Sequence, residues 1–474
     1  MTTAPPWADG LARRIAESAL AWESGPAEVD AFRAWFAERA RTSAALVRRV
    51  PLDSLTGWQN GADVIRHASG RFFTIEGLDI HVRDRPVPHW RQPIINQPEI
   101  GILGILVKEF DGVMHCLMQA KVEPGNSNGL QLSPTVQATR SNYTRVHGGR
   151  QVPYLDYFRD LSGSRVIADV RQSEQGSAFY QKRNRNMIVE TTDDVEVLDG
   201  FRWMTLGQMH RVLALDDLVN MDARTVMSCL PFATSDPAGR EEGDGFRAAL
   251  LRSCDGTSPA LHRLGEILSW VTDARTRIDV STSLIPLREV SGWRRTEERI
   301  SHETGLFFSV IGVDVEATGR EVAHWTQPMI EPHGTGLVAF LCRRIDGVLH
   351  VLVQAQVEAG YVDVIELAPT VQCTPDNYSC LPADARPPFL DEVLLARPEQ
   401  IRFTAVLSEE GGRFFHARNR YTIIEVEPDA DLAHPNYRWV TMAQLADLLR
   451  HSHYLNVQAR SLVACLHSLT SARD

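Results

Sequence analysis

His115, Leu117, Gln119, Lys121 and Glu123 fall at alternate positions of residues 113–123 in this 474-residue chain. Side chains alternate between the faces of a strand. A strand here would carry those five on one face and Met114, Cys116, Met118, Ala120 and Val122 on the other. Lys121 and Glu123 would then stand about 7 Å apart at Cα, close enough to reach neighbouring atoms of one small ligand. A carboxylate so placed can take a proton, and an ammonium can steady the charge that develops. An exposed polar strand is the plainer alternative. Only three of the 49 basic residues are lysine: Lys108, Lys121 and Lys182. An arginine-biased genome accounts for the scarcity, and Lys108 at a strand end and Lys182 beside a basic run read as ordinary. Lys121 invites a further reason, because a partly desolvated lysine can approach neutrality whereas arginine stays charged.

The chain supplies its own control, since it is written twice. Trp35, Trp58 and Trp90 recur 235 residues later as Trp270, Trp293 and Trp325. Of the 29 positions in 115–143, 15 are identical in 350–378, which marks a duplicated domain. The first repeat is placed in 1–232 and the second in 263–474, joined by a linker at 233–262 whose 235–245 portion is polar and Gly/Pro-bearing. The face matching the first row is His350, Leu352, Gln354, Gln356 and Glu358, so only Lys121 has changed. Pro124-Gly125-Asn126 becomes Ala359-Gly360-Tyr361, and Arg140 and His147 align with Pro375 and Pro382. Gln137, Asn142 and Tyr143 persist as Gln372, Asn377 and Tyr378. Residues kept in both copies suit folding or ligand binding, and those lost suit chemistry confined to the first copy. Drift in surface loops is the alternative.

Composition narrows the classes. The net charge of −11 argues against nucleic acid or an anionic membrane as partner. Residues 1–10 do not read as a signal peptide, and no apolar run approaches the roughly 20 residues that span a bilayer. Seven cysteines without a C-x-x-C pair suggest reduced thiols and a cytoplasmic setting. Dinucleotide, P-loop, H-E-x-x-H and G-x-S-x-G signatures are missing. Each copy is expected to open with an amphipathic helix (Val29, Phe32, Trp35, Phe36; Leu261, Leu264, Ile267, Leu268). A β-rich centre with Asp-Gly hairpins at 111–112 and 346–347 should follow, with later strands at 130–137, 165–171 and 179–190. Helices at 205–215 and 218–230, matched by 441–449 and 457–469, should close each copy, giving an α+β fold. Arg183 and Arg185, repeated as Arg418 and Arg420, have strand spacing suited to a diphosphate or carboxylate, with structural ion pairs equally open. Trp58, Trp90 and Trp203 could be core or ring-stacking platforms.

HWRQPIINQPEIGILG, LMQAKVEPGN and LQLSPTVQATRSNYTRVHGG resemble the signature of the NDP-hexose 2,3-dehydratases of deoxysugar biosynthesis, and HWTQP, QAQVEAG, LAPTVQ and DNY are similar to that family's second half. The resemblance implies two tandem Nudix-like α/β/α domains, a homodimer, and a dTDP-4-keto-6-deoxyhexose as substrate. It implies a lyase with no metal site and no cofactor, whose product passes to a ketoreductase or aminotransferase. Glu123 would be the base and Lys121 would polarise O4 or act as acid, with Tyr143 or His147 as the other proton donor. Trp90, Gln119, Asn126, Ser133, Thr135, Gln137, Arg140, Asn142, Arg183 and Arg185 are candidates for substrate contacts. Gln354, Glu358, Gln372, Asn377, Tyr378 and Arg418 would form a degenerate second pocket. A Nudix-like nucleotide-sugar hydrolase and a non-catalytic nucleotide-sugar-binding protein are the rivals.

Overall fold

The computed structural model describes residues 8–21, 26–43, 45–139, 152–231, 245–317 and 322–471. Arg140, Asn142, Tyr143 and His147 lie outside the described residues. The fold is α+β, with a seven-stranded mixed sheet in each copy and two five-stranded sheets assembled from both.

The first large sheet runs in the order Arg165–Ser173, Arg183–Glu190, Gly101–Phe110, Val113–Val122, Phe201–Thr205. Its central hairpin forms where Asp-Gly requires it. Asp111 and Gly112 both take positive φ (48° and 81°), and Phe110 pairs with Val113. Asp346 and Gly347 repeat this at 50° and 76°. Met114, Cys116 and Met118 are buried against helices Ala8–Leu20, Leu206–Leu213 and Met221–Met227. Leu117, on the opposite face, packs under Phe158 of the short helix Asp156–Arg159. The strand expected at 130–137 is split into Leu130–Ser133 and Val136–Ala138. Pro134, at the break, has no N–H to give a ladder. Thr135 substitutes: its hydroxyl accepts from Leu106 N–H at 2.8 Å and donates to the Leu117 carbonyl.

Each copy carries a further helix ahead of the amphipathic one expected to open it. Phe246–Cys254, inside the stretch read as linker, buries Ala249 and Leu250 completely, and Ala8–Leu20 does the same work in the first copy through Leu11, Ile15 and Ala19. Ser18 and Ser253, again 235 apart, receive the Leu206 and Met442 N–H groups at 3.0 and 2.9 Å. The second opening helix begins at Leu264, so Leu261 precedes it and is exposed.

The copies interlock. Strand Ala45–Val50 of the first pairs antiparallel with Phe308–Ala317 of the second, and Val280–Ile285 of the second pairs with Thr74–Val82 of the first. One core cluster accordingly mixes Leu52, Ile75 and Phe179 with Leu287, Val310 and Phe414. The P-G-N loop also crosses over: Gly125 N–H donates to Gly411 O at 2.7 Å, and His416 N–H donates to Gly125 O at 2.8 Å. A Cβ on Gly125 would lie 1.6 Å from the Phe414 carbonyl oxygen, so only glycine fits. Gly360 makes the reciprocal contact with Gly176 at 2.6 Å.

Candidate active site at the junction of the two copies

A cavity of about 690 Å³ opens where the hairpin strand of the first copy meets residues 410–413 of the second. The first copy contributes Gln119, Lys121, Glu123 and Gln137, and the second contributes Trp325, Gln327, Glu410 and Arg413. Lys121 Nζ stands 3.5 Å from Glu123 Oε1, with side-chain exposures of 14% and 5%. Gln137 donates to Glu123 Oε1 at 2.8 Å and is itself held by the Ser133 hydroxyl at 3.0 Å. The pair is thus partly desolvated and fixed in orientation, which strengthens its electrostatics relative to water.

A second tier of charge lies around it. Burial pushes the Glu410 carboxyl up to about 7, and facing Glu123 adds to the rise. Asp222, at the start of its helix, is held well above the usual carboxylate range by burial, with Glu174 and Glu123 reinforcing it. Lys182 is brought down to about 8 by burial, which Glu174 opposes. Arg413 lies over the Phe73 ring at 4.2 Å and donates to Gln97 at 3.2 Å. Lys182, read from sequence as ordinary, is therefore a buried wall of the same cavity as Lys121.

The other expected contacts divide. Thr135 lines the cavity but pins two strands. Asn126 donates to Gly129 O at 3.1 Å from the crossing loop. Arg185 is committed to Asp169, at 2.7 and 2.5 Å, and Arg183 lies opposite Ser173 outside the cavity wall. Trp90 donates to Gln92 at 2.9 Å and packs near Ala359, beside the second copy's P-G-N equivalent. Its repeat partner Trp325 lines the cavity instead, because each site borrows this strand from the other copy.

The second copy shows what the missing groups would leave. Glu358 accepts from Gln372 at 2.7 Å, Gln356 at 3.3 Å and Ser177 N–H at 3.1 Å. Burial brings its carboxyl to about 7. Tyr361, in Asn126's place, is buried over Gly176, contacts Glu358 and bonds Asn456 at 3.2 Å. Gln354 pairs with Ala368 in the ladder, and Asn377 accepts from Phe307 N–H at 3.0 Å. Burial raises the Tyr378 phenol, and Arg418 binds Asp217 of the first copy at 2.6 Å. Only Glu358 and Gln372 of the six expected residues are brought into mutual contact here.

Sequence reasoning within one copy missed Glu410, Arg413, Asp222 and Lys182. Their signal was present: at the repeat offset they correspond to Gln175, Ala178, Gln458 and Ala417, all neutral, as Lys121 corresponds to Gln356. Among the described residues, the only grouping with metal-ligand spacing is Asp79, His81 and His89, on a small sheet, where Arg91 already binds the Asp79 carboxylate at 2.7 Å. No described helix is long and apolar enough to cross a membrane.

The chain matches the family model described as NDP-hexose 2,3-dehydratase twice, over residues 29–230 and 264–466. It is 51% identical, over 99% of its length and 97% of the relative's, to a dTDP-4-dehydro-6-deoxy-alpha-D-glucopyranose 2,3-dehydratase of Saccharopolyspora spinosa. Proteins with the same description from Amycolatopsis orientalis and Streptomyces violaceoruber are each 50% identical, over 96% and 92% of this chain and 94% and 97% of theirs. The charged pocket built from both copies thus belongs to a chain of the NDP-hexose 2,3-dehydratase family.

Proposed function

We propose that this protein removes water across C2–C3 of a dTDP-4-keto-6-deoxyhexose. The C3 proton is acidic because it lies α to the C4 ketone. Glu123 takes it, and Lys121 steadies the enolate developing at O4. The electron pair then forms C2=C3 as the C2–O bond breaks, and the departing hydroxyl takes a proton to leave as water. The resulting 2,3-enol tautomerises to the 3,4-diketo sugar. The reaction is redox neutral and closes without a metal or cofactor. The observation that carries the reading is the Lys121–Glu123 pair in the cavity, set against the loss of every named partner charge but Glu174 from the counterpart site.

The same reading takes each large sheet with its helices as Nudix-like, the protein as a cytoplasmic homodimer, and the product as substrate for a ketoreductase or aminotransferase. Incubation with dTDP-4-keto-6-deoxyglucose, with and without EDTA, is expected to give a sugar one water lighter at equal rates. Release of dTMP and sugar phosphate would overturn the lyase reading in favour of a hydrolase.

A further inference from the structure

The elimination needs a proton donor for the C2 hydroxyl distinct from the base at C3. We propose that Glu410, carried by the second copy, is that donor in the first copy's site. The proposal rests on the dehydration reading above and adds a residue and a role to it.

Four observations converge on Glu410. It lines the cavity that holds Lys121 and Glu123, although nearly 290 residues separate it from them in the chain. Its Oε1 accepts the Gly412 N–H at 3.0 Å, which fixes the carboxyl. Its Oε2 is shielded from solvent and has no hydrogen-bond partner among the described residues. Glutamine stands at the corresponding position of the other site, Gln175, so the acid is present only where Lys121 is present. The acidic groups facing Glu410 are Glu123, Glu174 and Asp222, and the cations are Arg413 and Lys182. Burial favours its protonated form and brings it to about 7, with Glu123 and Glu174 acting in the same direction and Arg413 opposing. Asp222 and Glu174, each 4% exposed, lie deeper than the half-buried Glu410.

The step balances. Glu123 receives the C3 proton, the C3 electron pair becomes the C2=C3 bond, and the C2–O pair departs with the oxygen. The Glu410 proton completes the water molecule and leaves Glu410 ionised. The proton held by Glu123 returns to the acid through solvent before the next turnover. Glu123 and Glu410 thus divide the two proton transfers between the two copies, and the second copy completes the first copy's active site.

The test is E410Q, the substitution that installs the residue found at position 175, assayed in the full-length protein. Dehydration is expected to fall about 100-fold or more, while solvent deuterium still enters C3 of the recovered substrate. The descending limb of the wild-type pH–rate profile near 7 should vanish, and E410D should recover part of the rate. Retention of the nucleotide-sugar-induced thermal shift checks that E410Q is folded and binds. Wild-type dehydration rates in E410Q would overturn the proposal, as would joint loss of dehydration and deuterium exchange in a variant that still binds. A wild-type enzyme that neither dehydrates nor exchanges would instead sink the underlying reading, and the proposal with it.

Discussion

Lys121→Gln is expected to slow dehydration by about 10²- to 10⁴-fold while leaving nucleotide-sugar binding nearly intact. The substitution copies Gln356, which stands at the same register of the second copy and donates to Glu358 at 3.3 Å. A carboxamide keeps a hydrogen bond to the neighbouring carboxylate, but it supplies neither the positive charge that steadies an enolate nor a transferable proton. The strand should tolerate it, because the second copy builds Val348–Gln356 with glutamine at this position. Turnover and ligand-induced thermal shift, measured on the same preparation, check the outcome. Full activity in Lys121→Gln would mean that the first copy's defining difference has no chemical role.

Asn126→Tyr is expected to abolish binding while leaving the protein folded. Tyr361 shows where the ring would go: over Gly176 of the other copy, against Glu358, with its hydroxyl accepting from Asn456 at 3.2 Å. The first copy's site offers the same frame in Glu123 and Asn220 with Gly411 of the second copy. A tyrosine there would occupy the space beside Glu123 and Gln137 that a sugar must enter. Wild-type protein gains about 2.7 kcal/mol of stability from a ligand at a hundred times its Kd, which appears as a rise in Tm. Asn126→Tyr should show no such rise and no turnover, with an unliganded Tm near the wild-type value. A normal ligand-induced rise would show that the second copy's tyrosine does not block its pocket in the way described.

The local parts of this arrangement were legible in the sequence. Strand alternation placed Lys121 and Glu123 on one face of the hairpin, and the Asp-Gly turns adopted the positive φ values their residues favour. Pairing at a distance was not legible. Nothing local to residues 45–50 says that they join a sheet of the other copy, since their partner strand begins at Phe308. Pattern within one repeat therefore points to Trp90, whereas Trp325, Glu410 and Arg413 of the other copy line the cavity. Arg185 carried the right chemistry for a phosphate, but cross-strand Asp169 satisfies it. Lys182 looked ordinary because its neighbours in sequence are basic, whereas its neighbours in space are Glu174 and the cavity. Following each charged residue to its repeat partner, irrespective of copy, recovers all four missed groups.

The central claim is that Glu123 begins an elimination by taking the C3 proton. Turnover of dTDP-4-keto-6-deoxyglucose by Glu123→Gln, with binding followed by thermal shift, tests it most directly. The expected result is dehydration reduced by about 10²- to 10⁴-fold with the ligand-induced Tm rise preserved. Dehydration at the wild-type rate in Glu123→Gln would contradict it.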